Sequence, residues 1–232
     1  MSDSADRFEA SFTVPADLIS GVCLIAPSGH FLSLQHDSSE AQFLRALCKQ
    51  LSQRNVLCCI PDMPARDLSQ QVATEEILQM RIARLRRAQR MVEERSSPDL
   101  PLVWLGLSLG GLGLLRMATD PRLPAHQPVA LILVGCVVEQ PLSVLLNARR
   151  FLLIYGEDDA IVYHSSEGQD SSLLKPSEYG VWSAANLLLR KWQDCDIEVW
   201  SGCGHLLVSG DKIQREDVVD SLAETICSSM EG

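Results

Sequence analysis

Residues 106–110, Gly106-Leu107-Ser108-Leu109-Gly110, fit the pattern Gly-x-Ser-x-Gly, in which a serine hydroxyl can be presented as a nucleophile. The pattern is common by chance, and its setting gives it weight. The apolar run 102–107 (Leu-Val-Trp-Leu-Gly-Leu) reads as a buried strand directly before the serine. A glycine-rich helix from 109 to about 119, ended by Pro121, reads as following it. So tight a turn forces the serine into a strained backbone. Side chains two positions before and after it would clash, which explains glycine at both. The turn would lift the Ser108 hydroxyl above the sheet edge. It would also leave the Leu109 amide at a helix N-terminus, where it can stabilise an oxyanion. The alternative is a glycine-rich turn that only packs a helix closely on a strand.

A serine hydroxyl is a weak nucleophile and needs a base. Among His30, His36, His126, His164 and His205, the last is placed best. It ends Ser201-Gly202-Cys203-Gly204-His205, after the last predicted strand and before the final helix, on a loop that can lean back over the serine. The competing reading is an ordinary surface-loop histidine. An imidazole base needs a carboxylate to fix its tautomer. The predicted fifth strand runs into Glu157-Asp158-Asp159-Ala160-Ile161, which puts three acids just past a strand end, between nucleophile and base in the chain. Asp159 is preferred, with Asp158 second and Glu157 third. A solvated acidic turn is the competing reading. Cys136, at another strand end, and Ile161 are candidates to line a substrate cleft, although for Cys136 a buried structural role is the favoured reading.

These groups need a scaffold, and the apolar pattern supplies one. Buried strands are predicted at 21–27, 55–60 (stopped by Pro61) and 102–107, and further strands at 129–135, 151–155 and, as a last short one, 197–200. Helices are predicted at 39–52, from an N-cap at Thr74 to Ser96, at 109–119, 180–192 and 212–229. The stretch 163–177 reads as an irregular loop. Strands apolar on both faces and separated by helices imply a mostly parallel, doubly wound sheet in a three-layer α/β/α fold. Catalytic groups in such sheets sit beyond the carboxyl ends of the strands. The 232 residues suit a single domain, with residues 1–10 expected to be a tail without fixed structure.

Composition narrows the function classes. Hydrophobic residues make up 46% and charged residues 22%, an ordinary globular balance. A net charge of −10 disfavours nucleic acid and anionic lipid as partners. The arginines between Arg81 and Arg95 read as the solvated face of a helix. The eight cysteines lie mostly in apolar segments, and residues 1–7 are polar without a signal-peptide core; reduced thiols and a cytoplasmic location are expected. No uncharged apolar run is long enough to span a bilayer. Cys203-x-His205 lacks a second ligand pair, so no metal and no cofactor are expected. No Gly-x-Gly-x-x-Gly follows a strand, which argues against dinucleotide binding.

The chain resembles the α/β-hydrolase superfamily from about residue 20 onward. The resemblance rests on Gly-Leu-Ser-Leu-Gly-Gly at 106–111, Gly-Glu-Asp-Asp at 156–159, Gly-His at 204–205, and the order serine, acid, histidine. In that superfamily Gly-x-x-Asp ends on the triad acid, which implies Asp159. The resemblance also implies a second oxyanion donor in the loop Pro27-Ser28-Gly29-His30-Phe31, where Gly29 allows close approach and the His30 amide is the donor by position. Many members carry His-Gly there; this chain has Ser-Gly. Only 14 residues separate Cys136 from the next strand, room for one short helix and no large lid.

The reading is a serine hydrolase that takes carboxylic esters or thioesters as small-molecule substrates, an esterase or thioesterase, with Ser108, His205 and Asp159 as its triad. Its rivals are a non-hydrolytic binding or scaffold protein of the same fold, and an acyltransferase or C–C bond-cleaving enzyme using the same triad.

Overall fold

Chain segments that are apolar on every side can be stable only between two covering layers, and such segments occupy the middle of this molecule. The structure is a computed structural model that describes residues 8–31, 33–64, 75–159, 175–190, 193–207 and 216–231. The elements run β1 (Ala10–Thr13), β2 (Gly21–Ala26), α1 (Ser39–Gln53), β3 (Val56–Pro61), α2 (Glu75–Arg95), β4 (Leu102–Leu107), α3 (Leu109–Ala118) and β5 (Ala130–Val134). There follow β6 (Leu142–Ser143), β7 (Arg150–Gly156), α4 (Pro176–Asn186), β8 (Leu187–Leu188), β9 (Cys195–Trp200) and α5 (Glu216–Ser228).

Seven strands form one sheet in the order β1-β3-β2-β4-β5-β7-β9. All pairings in it are parallel except β1 on β3. Side chains alternate across the sheet, so two cores form. Trp104 and Leu102 of β4 pack with α2 and α3, for example against Leu85 and Leu114. Val103, Leu105 and Leu107 of the same strand join α1 and α5 through Leu44, Leu47 and Leu222. Each such side chain, fully removed from water, contributes roughly 1.5–3 kcal/mol before conformational entropy is subtracted. The polar edge of Trp104 is satisfied inside the core, its indole N–H donating to Gln89 Oε1 at 3.0 Å.

Local signals set the ends of the elements. Ser38 caps α1, its hydroxyl accepting from the Ala41 amide at 3.1 Å. Glu75 and Glu76 stand at the positive end of α2. The predicted cap Thr74 lies outside the described residues, as does nearly all of the predicted 163–177 loop; its last two residues open α4.

Three expectations are corrected. Ala10, placed in the predicted tail, pairs with Pro61 as part of an edge strand, and Pro61 belongs to β3; residues 1–7 lie outside the described residues. The predicted 180–192 helix runs over Pro176–Asn186 instead, with Pro176 at its first position. The chain then straightens into β8, which pairs with β6. The room for a short helix after residue 141 holds that two-residue strand, and no large lid stands between β5 and β7. Among the described residues no helix is long and apolar enough to cross a membrane.

The strand order fixes where a site can form. From β2 the chain winds outward to β3, then crosses back to β4 and winds the other way through β5, β7 and β9. The winding reverses between β2 and β4, and the crevice beyond their carboxyl ends is where ligands bind in sheets of this kind. Ser108 follows β4, and the 27–31 loop follows β2.

Candidate active site

Ser108 occupies the turn between β4 and α3 with φ 49° and ψ −118°. A non-glycine residue held there stores roughly 1–3 kcal/mol of strain, which the surrounding packing must impose. The packing is visible. A Cβ on Gly106 would lie 2.5 Å from Gly111 Cα, and one on Gly110 would lie 2.1 Å from Ala26 O and 2.4 Å from Pro27 O. The helix start is thus pressed between its own strand and the end of β2. The Ser108 amide donates to Val134 O at 2.8 Å, which ties the turn to the end of β5. The hydroxyl makes no capping bond to α3. Leu109, half-buried, opens that helix.

The residue that follows β5 brings the histidine in. Gly135 has φ +57°, and a Cβ on it would lie 2.9 Å from both Cε1 and Nδ1 of His205 and 2.5 Å from His205 O. The imidazole therefore lies against Gly135, one strand over from Ser108. Gly156 does the same for the loop carrying His205, since a Cβ there would lie 2.1 Å from Cys203 O. Backbone bonds knit this loop to the acidic turn: Glu157 N–H donates to Trp200 O and Asp158 N–H to Cys203 O, both at 2.9 Å.

Of the three competing acids, Asp159 meets the histidine. Its Oδ2 lies 2.9 Å from His205 Nδ1, with its side chain 1% exposed and that of His205 28% exposed. Glu157 and Asp158 face solvent. Tyr179 of α4 stacks edge-on against Tyr155, with ring centroids 4.8 Å apart. Burial, then the Asp159 charge beside it, push the Tyr179 hydroxyl far above the usual phenol range.

The 27–31 loop stands over the other side of the serine turn. Its Ser28 is buried, and Glu40 of α1 accepts from Ser28 N at 2.7 Å and from Ser28 Oγ at 2.5 Å. The His30 amide is occupied at long range by Ser28 Oγ, at 3.3 Å. Neither the Gly29 nor the Leu109 amide donates to an acceptor among the described residues.

For Cys136 the favoured structural reading agrees with its burial, and the expectation for Arg81 fails. Cys136 does not face a cleft. It is 2% exposed, with its thiol against Gly111 and its carbonyl accepting from the Tyr155 hydroxyl at 2.7 Å. Burial raises that thiol's pKa to about 12. Arg81 is not on a solvated face but 0% exposed, donating to Pro27 O at 2.5 Å and Ser28 O at 2.6 Å. Ile161 lies outside the described residues. Among the described residues no cluster of three or more His, Cys, Asp or Glu side chains is placed to hold a metal ion.

Gly135, Gly156, Glu40, Arg81 and Tyr179 support the site in ways that were not read from the sequence. A glycine closing each of two buried strands was the one available signal. The other three depend on contacts between distant elements.

No protein-family model matches the chain, and no curated protein matches its sequence. Solved structures do. A dienelactone hydrolase from Anabaena variabilis superposes with a TM-score of 0.61 at 15% identity, over 98% of this chain and 92% of that one. Est1E from Butyrivibrio proteoclasticus gives 0.62 at 15%, over 97% and 95%. A member of the α/β serine hydrolases without lid from Xanthomonas campestris gives 0.59 at 14%, over 96% and 87%. Likeness at this identity is likeness of fold.

Proposed function

We propose that this chain, which has the α/β-hydrolase fold, is a serine hydrolase of carboxylic esters or thioesters. The observation that carries this reading is the buried Asp159 carboxylate on His205 Nδ1, with the imidazole lying on Gly135 beside the strained Ser108 turn.

Asp159 accepts a hydrogen bond from His205 Nδ1–H, which leaves Nε2 of His205 as the basic nitrogen. As Ser108 Oγ attacks the acyl carbonyl, Nε2 takes its proton. The carbonyl electrons move onto oxygen, where the Leu109 amide and an amide of the 29–30 turn stabilise them. The tetrahedral intermediate expels an alcohol or thiol, which receives the proton from His205. Water then attacks the acyl-enzyme, giving its proton to Nε2; the acid leaves and Ser108 recovers its proton. Esters and thioesters fit because their leaving groups need less protonation than an amine. The dienelactone hydrolase and the lidless serine hydrolase carry hydrolase names on the same fold, which supports hydrolysis at that general level.

The test is fluorophosphonate labelling together with turnover of p-nitrophenyl acetate. Wild type is expected to label and turn over, and Ser108→Ala to do neither, with the loss spanning several orders of magnitude. Equal labelling of the two proteins would refute the assignment.

A further inference from the structure

Two opposite charges are buried behind the 27–30 turn, and they enter from opposite sides of the sheet. Glu40 is 5% exposed at the start of α1, and Arg81 is 0% exposed on α2. Buried charges are costly unless paired and hydrogen-bonded, so their placement requires a compensating set of contacts. On both sides such contacts reach one turn. Arg81 takes the carbonyls of Pro27 and Ser28 at 2.5 and 2.6 Å, while Glu40 takes the amide and hydroxyl of Ser28.

The consequence follows from peptide planarity. In a trans peptide the C=O and the next N–H point in opposite directions, and there is no cis bond among the described residues. With Pro27 C=O turned onto Arg81, the Ser28 N–H must face away from it, where Glu40 receives it. With Ser28 C=O turned onto Arg81 as well, the Gly29 N–H must also face away. Glu40 receives Ser28 N–H and Oγ–H, and the Gly29 amide has no protein acceptor among the described residues. The His30 amide, by contrast, is drawn back onto Ser28 Oγ. Because a Cβ on Gly110 would lie 2.4 Å from Pro27 O, this turn is held against the start of α3.

Resting on the hydrolase reading, we propose that Arg81 and Glu40 are positioning residues, a buried charge clamp that makes Gly29 N–H, and not His30 N–H, the second oxyanion donor beside Leu109. Such a donor acts on charge that exists only in the transition state, so disturbing the clamp lowers kcat and leaves KM nearly unchanged.

The experiment measures kcat and KM for p-nitrophenyl acetate and the inhibition constant of a trifluoromethyl ketone, whose serine adduct carries an oxyanion. Wild type, Ser108→Ala, Arg81→Lys, Glu40→Ala and Ser28→Ala are compared. Arg81→Lys and Glu40→Ala are expected to lose on the order of 10²-fold in kcat, as for removal of one oxyanion donor, with ketone affinity falling in parallel. Glu40→Gln, which keeps an acceptor for Ser28 N, is expected to recover most of the Glu40→Ala loss. If the charge variants do not fold, Ser28→Ala keeps both charges and is expected to lose roughly tenfold in kcat and in ketone affinity, about one hydrogen bond's worth. Folded Arg81→Lys or Ser28→Ala with wild-type kcat, or with kcat lowered and ketone affinity intact, would overturn the clamp. Turnover by wild type that persists in Ser108→Ala would instead overturn the hydrolase reading.

Discussion

Replacing Gly135 with alanine adds one methyl group just past the end of β5, where the histidine loop lies against the backbone next to the serine turn. The backbone there has φ +57°, a conformation that costs an L-residue roughly 1–2 kcal/mol. The added Cβ would sit 2.5 Å from His205 O and 2.9 Å from Cε1 and Nδ1 of the ring. Carbon and oxygen atoms settle at about 3.5 Å or more, so the histidine loop must retreat by about 1 Å. The His205–Asp159 contact, now 2.9 Å, would then approach the limit at which a hydrogen bond is lost. Misplacing a reacting group by about 1 Å costs on the order of 10²-fold in rate. Gly135→Ala is therefore expected to lower kcat about 10²-fold and Tm by roughly 2–8 °C. Steady-state hydrolysis of p-nitrophenyl acetate and differential scanning calorimetry measure both. Gly113→Ala is the control: its Cβ meets only the tip of Leu85, at 3.0 Å, and kcat should stay within about twofold. A folded Gly135→Ala protein with wild-type kcat would show that the imidazole over Gly135 takes no part in turnover.

Asp159→Asn should cut kcat by about 10⁴, because the amide favours the wrong histidine tautomer, whereas Asp158→Asn should leave it within about twofold; comparable losses in both would dissolve the distinction. The Cys195 thiol, raised by burial and then by the Asp196 charge to about 12, should react slowly with iodoacetamide. At pH 8 its thiolate fraction is about 10⁻⁴, against roughly a quarter for a free thiol, so alkylation mapped by mass spectrometry should be slower by roughly 10³ and rise tenfold per pH unit toward 12. Alkylation at the free-cysteine rate at pH 8 would contradict that environment. Leu105→Ala, at a fully buried β4 position, should destabilise the fold by about 2–5 kcal/mol in urea unfolding, and a loss below about 1 kcal/mol would argue that the core there is not close-packed.

The centre of the sheet was legible because β2, β3, β4 and β5 are apolar at every position, which leaves few other places for them to go. The serine turn was legible because Gly106 and Gly110 mark a backbone contact that only glycine permits, and the strand before and helix after it are strongly patterned. The acid was legible only as one of three neighbours. What separates Asp159 from Asp158 is the fold of the 157–159 turn, whose backbone is set by bonds to Trp200 and Cys203 across the sheet. Arg81 was misread because it sits among other arginines on one helix, and its neighbours behave as expected: Arg87 and Arg95 lie over the rings of Phe8 and Phe12 at the sheet edge. Its burial is decided by two carbonyls more than fifty residues earlier. Strands β6 and β8 went unseen because a two-residue pairing has no period to read.

Whether Ser108 and His205 act as one unit can be measured directly by a double-mutant cycle on kcat/KM for p-nitrophenyl acetate. If His205 serves only to activate Ser108, then Ser108→Ala, His205→Ala and the double variant should share nearly the same residual rate, since either change alone removes the whole device. Losses that multiply in the double variant would mean that the two side chains work independently, and Ser108 would then have to find its base elsewhere than in His205.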